Sequence, residues 1–326
     1  MRGLRRFCDS LTGSRLNTPG PHEITVIGNT GDDITLFGLR VCPDLDTLAY
    51  TLGGGIDESQ GWGRTGDTRV VQRELAAYGA EPQWFGLGDL DMATHIARSQ
   101  WLGQGMTLSQ VTARIAARWG LPEAGITLLP MTDEPVETHV VIDAPPNSTP
   151  DSSPETGQVA VHFQEWWVGM GAAPAAHRFT AVGLDRARPA PGVLEAIREA
   201  DVVLLPPSNP VVSIGIILGV PGVRAALRDT SAPVVGVSPI VGGAPVRGHA
   251  DACLAALALP CTPEAVAGLY ADFLDGWLVH DGDAGAGGGA GSFEVRTAPL
   301  LMRDLDSAAA LAGAALTFAL DLRESE

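Results

Sequence analysis

The chain has 326 residues, of which 45% are hydrophobic and 18% charged, and its formal net charge is −17. All 21 basic residues are arginine, which excludes Schiff-base chemistry on a lysine and a phosphate loop ending in Gly-Lys-Ser/Thr. An acidic chain lacks the basic surface that binds nucleic acid, so we expect no nucleic-acid partner. Because no apolar run reaches the roughly 18 residues of a membrane helix, we expect no membrane partner either. The four cysteines show no disulfide or metal spacing, which favours a reduced cytoplasmic location.

The first half of the chain is predicted to combine short strands with amphipathic helices. Glu23–Gly28 has the pattern of a buried strand, and it runs into the loop Asn29–Asp33. Apolar residues at helical spacing, ended by glycines, predict helices at Asp44–Leu52, Thr68–Tyr78, Asp91–Leu102 and Leu108–Trp119. Further strands are predicted at Ile126–Leu129, His139–Ile142 and Val159–Phe163, and the Pro/Ser-rich stretch Ala144–Gly157 is predicted to be a solvated hairpin loop.

The second half alternates apolar strands with helices. Strands are predicted at Val202–Leu205, Val234–Val237 and Trp277–Val279. Helices are predicted at Val193–Ala200, Val223–Arg228, Ala250–Ala258, Glu264–Phe273 and Ser307–Leu320, and a mobile Gly/Ala-rich loop at Ala284–Ser292. This alternation indicates an α/β protein with a Rossmann-like, doubly wound, mostly parallel sheet, whose ligands bind beyond the carboxyl ends of the strands. We expect one domain over residues 1–326, with a helical and β-hairpin subdomain at about 60–177.

The densest polar cluster lies in two acidic segments near the first strand. GNTGDD at 28–33 and CPDLDT at 42–47 place four carboxylates within 15 residues. Hard oxygen ligands on loops suit Mg²⁺, which commonly takes one or two carboxylates together with substrate phosphates. The same aspartates are also typical of turns and helix caps. The residues alone leave both interpretations open.

Three further segments carry polar or aromatic groups of interest. Asp91 and His95 are four residues apart and share a helix face, although acidic residues are also common at helix N-termini. The loops at 208–215 and 238–247 each follow a predicted strand and are rich in Ser, Asn and Pro, as phosphate-binding loops and ordinary turns both are. In HFQEWW at 162–167 at least one tryptophan is expected in the core, and stacking on a flat aromatic ligand is the alternative.

Taken in order, these motifs resemble one family. GNTGDDITLFGLRVCPDLDTLAYTLGGGID, WFGLGDLDMATHIARSQ, HFQEWWV, PPSNPVVSIGIIL and VGVSPIVGGAPVRG look like segments of the 2-phospho-L-lactate transferase family of coenzyme F420 biosynthesis, above all its actinobacterial phosphoenolpyruvate transferase branch. The resemblance covers about residues 23–281. It implies a Mg²⁺-dependent homodimeric enzyme that transfers the phosphoenolpyruvate or 2-phospho-L-lactate moiety to the deazaflavin Fo. The implied donor is enolpyruvyl- or lactyl-diphospho-5'-guanosine, a guanosine-diphosphate-linked three-carbon acid, and GMP is the leaving group.

The resemblance also implies roles for individual residues. Asp32, Asp33 and Asp46 are the expected metal ligands, and Asp32 or Asp46 is the expected base for the attacking hydroxyl. Fo is expected near residues 43–47 and 86–95. The residues expected to hold the substrates are Asn29, Asp33, Pro43, Thr47, Asp89, Asp91, His95, Ser208, Asn209, Pro210, Ser213, Ser238, Pro239 and Arg247.

Two departures from the family pattern stand out. Members open with a strand and a Gly-rich phosphate loop, whereas Met1–Leu4 resembles the helix that follows that loop. A start codon placed too late in the gene and a true truncation would each explain the missing strand and loop. Leu90 stands where the family often has an arginine. A related family of nucleotide-sugar-binding regulators shares the fold and the Asn-x-Gly/Ala-Asp-Asp element, and it is the alternative without turnover. A catalytically inactive remnant is a third possibility.

Overall fold

The computed structural model describes residues 2–4, 6, 22–144, 157–283 and 292–325. The loops predicted at Ala144–Gly157 and Ala284–Ser292 lie outside these ranges except for Ala144, Gly157 and Ser292. The chain divides into two units, an N-terminal unit of residues 25–191 and a C-terminal unit of residues 192–326 together with 1–24. The insertion predicted at about 60–177 lies within the N-terminal unit.

In the described residues of the N-terminal unit, small sheets combine with four α-helices. Its strands are β1 (Ile24–Gly28), β2 (Ile34–Leu36), β3 (Leu39–Val41), β4 (Ile126–Pro130), β5 (Glu137–Asp143), β6 (Gln158–His162) and β7 (Arg178–Val182). Its helices are α1 (Pro43–Leu52), α2 (Val70–Ala77), α3 (Asp89–Gly103) and α4 (Leu108–Arg118), with a π-helical turn at Glu165–Gly169 and 3₁₀ turns at Pro122–Ala124 and Leu184–Arg186. β1 pairs with β4, and β5 is the centre of an antiparallel sheet in the order β6-β5-β7.

Local chemistry explains several boundaries in this unit. Thr107 and Gln110 form a reciprocal capping box at the start of α4, so the predicted helix begins at its predicted residue. The β2–β3 hairpin turns at Phe37-Gly38, where both residues have positive φ, 52° and 75°. Such a two-residue turn matches the twist of the paired strands, but phenylalanine is no turn signal, and the hairpin was therefore not predicted.

The C-terminal unit contains the predicted parallel sheet. Strands β8 (Val203–Leu205), β9 (Val234–Val237), β12 (Gly276–His280) and β13 (Glu294–Ala298) are parallel and lie in the order β13-β12-β9-β8. A small hairpin joins β10 (Ile240–Val241) to β11 (Ala244–Pro245). The helices are α5 (Val193–Arg198), α6 (Ile214–Gly219), α7 (Val223–Asp229), α8 (Ala250–Ala256), α9 (Pro263–Gly268) and α10 (Leu305–Ser325), with a 3₁₀ turn at Asp281–Asp283. The parallel α/β prediction is confirmed, while β13 was not predicted and α9 ends at a glycine before its predicted end.

Helix α10 covers one face of this sheet. Phe318 and Ala319 are buried against Val235 and Leu278 of the central strands. Within the part of the chain that the structure describes, α10 is the one helix long and apolar enough to cross a membrane by length and composition. The core helix of a globular protein passes the same test, and the residues of α10 named above are buried against the sheet.

Candidate functional site

The acidic loop after β1 is held by bonds from several elements. The Asn29 side chain bridges it, because its Oδ1 accepts from the Gly31 N–H at 2.9 Å and its Nδ2 donates to Asp44 Oδ2 at 3.0 Å. The Thr138 N–H on β5 donates to the Gly31 carbonyl at 2.6 Å. Asp44 lies in the first turn of α1, so these bonds bring the two acidic segments of the sequence together. Asn29 therefore lies in the predicted site.

The carboxylates of this loop are buried with part of their hydrogen-bonding capacity unused. Asp32 is 6% exposed and Asp33 is 1% exposed. Among the described residues, Oδ1 of Asp32 and both oxygens of Asp33 accept no hydrogen bond from an N–H or hydroxyl group, and the Cys42 thiol is the weak donor beside Asp33. Burial raises the pKa of Asp32, and the negative charges of Asp44 and Asp33 raise it further. Burial also raises the pKa of Asp44, against the opposing hydrogen bond from Asn29.

Two arginines partly offset the negative charge of Asp33. Burial raises the pKa of Asp33 to about 7, although the charge of Arg40, the Cys42 thiol and the charge of Arg98 act in the opposite direction. Arg40 Nη2 is 3.8 Å from Asp33 Oδ2, and Arg40 Nη1 forms a 3.2 Å ion pair with Glu137 Oε1. Arg40 is therefore shared between two carboxylates, and the negative charge of Asp33 is incompletely neutralised.

The donor set of this cluster suits a divalent cation. Buried carboxylate oxygens without hydrogen-bond partners are costly when ionised, and an added positive charge offsets that cost. Hard oxygen donors from carboxylates are what Mg²⁺ prefers. Asp32, Asp33 and Asp44 form a group that fits such an ion. The family resemblance implies Asp46 as a ligand beside Asp32 and Asp33, and that role stays a prediction.

Asp46 is bonded to a buried arginine. Arg98 Nη1 donates to Asp46 Oδ2 at 3.0 Å, and its Nη2 donates to Oδ1, so both carboxylate oxygens are bonded to one guanidinium. Arg98 Nη1 also donates to the Arg40 carbonyl at 3.2 Å. Burial acts to lower the pKa of Arg98, but Asp46 raises it above its usual value. Pro43 opens α1 and Thr47 is half-buried on it, and the predicted ligand roles of Asp46, Pro43 and Thr47 stay predictions.

The predicted Asp91–His95 pair lies in the same buried network. The two residues share a face of α3, as their spacing predicts, with His95 Nε2 3.4 Å from Asp91 Oδ2. The Tyr50 hydroxyl on α1 donates to Asp91 Oδ1 at 2.6 Å, and His95 Nδ1 is 3.6 Å from Asp46 Oδ2. Burial acts to raise the pKa of Asp91, but His95 and Tyr50 stabilise its ionised form and the pKa is lowered.

This network joins α1 to α3. Ligand atoms of Asp46, Asp91 and His95 lie within 4.8 Å of one another, as metal ligands do, but the Arg98 guanidinium already supplies the positive charge there. His95 is 1% exposed and Asp91 is 8% exposed, so both side chains are placed to connect the helices. Their predicted contact with Fo stays a prediction.

Asp89 takes part in a reciprocal capping arrangement. Its carboxylate accepts from the backbone N–H groups of the first two residues of α2, at 3.0 and 2.9 Å. In return, Asp67 accepts from the N–H groups of the second and third residues of α3, at 2.8 and 3.0 Å. Leu90, at the position of the family's arginine, is 44% exposed. Sequence reasoning missed Asp67, because it precedes α2 and caps the other helix.

The predicted nucleotide loops lie in the C-terminal unit, and the side chains of Asn209 and Ser238 form hydrogen bonds to the backbone of their own loops. Asn209 Oδ1 accepts from the N–H groups two and three residues on, at 2.9 and 3.2 Å, and its Nδ2 contacts Cys253 Sγ at 3.3 Å. The Ser238 hydroxyl donates to the Ile240 carbonyl and accepts from the Ile240 N–H. The other predicted nucleotide ligands lie in the same loops: Ser208, Pro210, Ser213, Pro239 and Arg247. Their roles stay predictions.

Comparison with known proteins identifies relatives over nearly the whole chain. Residues 1–288 match the family described as 2-phospho-L-lactate transferase CofD. A protein named phosphoenolpyruvate transferase from Thermobifida fusca is 56% identical over 99% of this chain and 95% of its own length. Proteins of the same name from Streptomyces coelicolor and Mycolicibacterium smegmatis are 54% and 50% identical, over 97% and 94% of this chain and 95% and 91% of their own lengths.

The fold also has a solved relative. The crystal structure of a UPF0052 family protein from Bacillus halodurans superposes with a TM-score of 0.55 over 97% of this chain and 93% of its own. Its sequence identity is 14%, so the likeness concerns the fold alone.

Proposed function

Since the chain belongs to the 2-phospho-L-lactate transferase CofD family and is a transferase of coenzyme F420 biosynthesis, we propose that it transfers the phosphoenolpyruvate moiety from enolpyruvyl-diphospho-5'-guanosine to Fo. The enolpyruvyl donor is preferred over the lactyl donor because relatives at 50–56% identity are named phosphoenolpyruvate transferases. The products would then be dehydro-F420-0 and GMP. The regulatory alternative has no support from these relatives, and we extend the homodimeric state and the cytoplasmic location to this chain only as part of the proposal.

The proposed reaction is a single displacement at phosphorus. The terminal ribityl hydroxyl of Fo attacks the phosphorus that carries the three-carbon acid, and the bond from that phosphorus to the GMP oxygen breaks. The hydroxyl proton passes to a carboxylate of the protein. We favour Asp32 as this base, because both oxygens of Asp46 are bonded to Arg98. Such a reaction depends mainly on positioning and charge neutralisation, and no covalent nucleophile or lysine is required.

We propose that Asp32, Asp33 and Asp44 hold the Mg²⁺ ion. The observation that carries this assignment is the set of buried oxygens, Asp32 Oδ1 and both oxygens of Asp33, that accept no hydrogen bond from an N–H or hydroxyl group of the described residues, beside the Asp44 carboxylate. When bound, Mg²⁺ neutralises charge on the phosphate oxygens of the donor. Arg40 limits the remaining repulsion at Asp33, and Asn29 holds Asp44 against the loop.

The experiment combines the protein, Fo, Mg²⁺ and freshly prepared enolpyruvyl-diphosphoguanosine, and follows GMP and dehydro-F420-0 by mass spectrometry. The lactyl donor is tested in parallel. We expect product with the enolpyruvyl donor, at a higher rate than with the lactyl donor. Folded protein that forms neither product, and that instead binds a UDP-sugar tightly, would contradict the transferase proposal. Faster reaction of the lactyl donor would contradict only the choice of donor.

A further inference from the structure

His162 is the part of the HFQEWW motif that contacts the acidic loop. It ends β6 and is half-buried, with its ring Nε2 3.2 Å from the carbonyl oxygen of Asp33. The other ring nitrogen, Nδ1, accepts a hydrogen bond from the Gln164 N–H at 3.1 Å. A nitrogen that accepts a bond from a backbone N–H carries no proton, so the ring proton of the neutral imidazole is on Nε2. His162 therefore donates to the Asp33 carbonyl.

This bond joins the β6-β5-β7 sheet to the acidic loop, and a second bond does so beside it. One is the backbone bond from Thr138 on β5 to the Gly31 carbonyl, at 2.6 Å. The other is the side-chain bond from His162 on β6 to the Asp33 carbonyl. The tethered carbonyls lie on either side of Asp32 in the sequence, so the two bonds restrain the backbone that carries Asp32 and Asp33.

Restraint matters here because the carboxylates repel one another. Asp32 and Asp33 are buried neighbours in the sequence, and Asn29 bonds the Asp44 carboxylate to the same loop, so the ionised forms of these groups disfavour close approach. A loop free to relax would move the charges apart in the absence of a cation. The bond at the Asp33 carbonyl opposes that movement without using any carboxylate oxygen.

We propose that His162 is a positioning residue for divalent-cation binding: its Nε2–H holds the Asp33 carbonyl so that the Asp32 and Asp33 carboxylates stay converged. The inference rests on the metal site of the proposed function. Groups that orient metal ligands from outside the coordination sphere typically contribute a factor of about 10 to 100 in metal affinity. Replacement of His162 is therefore expected to weaken cation binding about tenfold, at the lower end of that range.

His139 provides a matched control in the same sheet. It is the direct cross-strand partner of His162, and the two rings meet edge to face with centroids 5.8 Å apart. Its Nε2 lies 3.7 Å from Glu137 Oε2. Substitution of His139 thus changes a histidine in the same place on the sheet without removing the bond to the Asp33 carbonyl.

The test titrates Mn²⁺ into metal-free full-length protein, without substrates, and measures free Mn²⁺ by electron paramagnetic resonance. His162→Leu removes the N–H donor, His162→Gln keeps a side-chain N–H at similar size, and His139→Leu is the control. We expect binding about tenfold weaker in His162→Leu, largely restored in His162→Gln, and within about twofold of wild type in His139→Leu. Far-UV circular dichroism checks that each variant is folded, and His162→Ala replaces the Leu variant if that one is not.

The possible outcomes distinguish the role of His162 from the proposed metal site on which it rests. Wild-type affinity in the folded variant without the donor, or an equal loss in His139→Leu, overturns the role of His162 and leaves the metal site standing. Wild-type protein that binds no Mn²⁺ overturns the proposed metal site, and the role of His162 with it. The Mn²⁺ titration contains no substrates, so its result does not depend on turnover. A failure of the proposed transfer reaction is therefore recognised separately, in the transferase assay.

Discussion

Removal of the Arg98 guanidinium is the sharpest test of how the site is supported. Arg98 and Asp46 are 1% and 4% exposed, so Arg98→Met leaves the Asp46 carboxylate buried without its partner while keeping most of the side-chain volume. Breaking a buried ion pair from one side typically costs about 3–5 kcal/mol. Since a whole protein is stable by only about 5–15 kcal/mol, we expect a loss of roughly a third of the free energy of unfolding.

The assay is equilibrium urea unfolding followed by far-UV circular dichroism. With a urea dependence of about 2 kcal/mol per molar, a loss of about 4 kcal/mol lowers the midpoint by about 2 M. The double variant Arg98→Met/Asp46→Leu removes both charges, and it should recover most of the loss because no unpaired charge stays buried. Arg114→Met is the control: Arg114 is exposed, its guanidinium lies 5.3 Å from the centroid of a Trp101 ring, and its loss should cost at most about 1 kcal/mol.

Two results would refute the reasoning. One is an Arg98→Met midpoint close to that of wild type, which would mean that Asp46 finds solvent or another cation readily. The other is a double variant no more stable than the single one, which would place the loss in the packing of Arg98 and not in the charge of Asp46. The first result would also favour Asp46 as a metal ligand.

The remaining predictions concern individual aspartates. Asp44→Asn should weaken Mg²⁺ binding measured by calorimetry at least about tenfold. Asp46→Asn should lower turnover at least about tenfold. If the Mg²⁺ affinity of that variant is unchanged, the loss comes from the positioning of the site; if the affinity is reduced, Asp46 is a metal ligand. The pKa of Asp33 is raised from 3.8 to about 7, so the folded protein holds the proton of Asp33 more tightly than the unfolded chain does. With a chelator present, this contribution to stability, up to about 4 kcal/mol, is complete below about pH 4 and is lost as the pH rises through 7. Asp33→Asn should remove that part of the pH dependence of urea unfolding. Asp67→Ala should lower the free energy of unfolding by about 1 kcal/mol through loss of a helix cap, without changing the KM for Fo. Asp89→Ala should lower the Tm in the same way, and an increased KM for Fo in this variant would instead support its predicted substrate contact.

Much of the fold followed from local patterns. Apolar runs that alternate with helices predicted the parallel sheet of the C-terminal unit, and three of its four strands were located. Helical spacing placed α1, α3 and α4 within two residues of their ends. β13 and the β2–β3 hairpin escaped prediction because their strands are short and mixed in polarity, and because the turn at Phe37-Gly38 has no characteristic composition.

The sequence by itself determined the parallel α/β architecture, the acidic segments and the family, because periodicity and motif order are properties of neighbouring residues. Tertiary structure alone decided which carboxylates converge. Asp44 and Asp46 are two residues apart on α1 and so point about 200° apart around the helix, one bonded to Asn29 and the other to Arg98. Spacing shows that they diverge but not which of them faces the acidic loop. Arg98 is 52 residues from Asp46 and becomes its partner only because α3 packs against β3 and forms side-chain hydrogen bonds to α1.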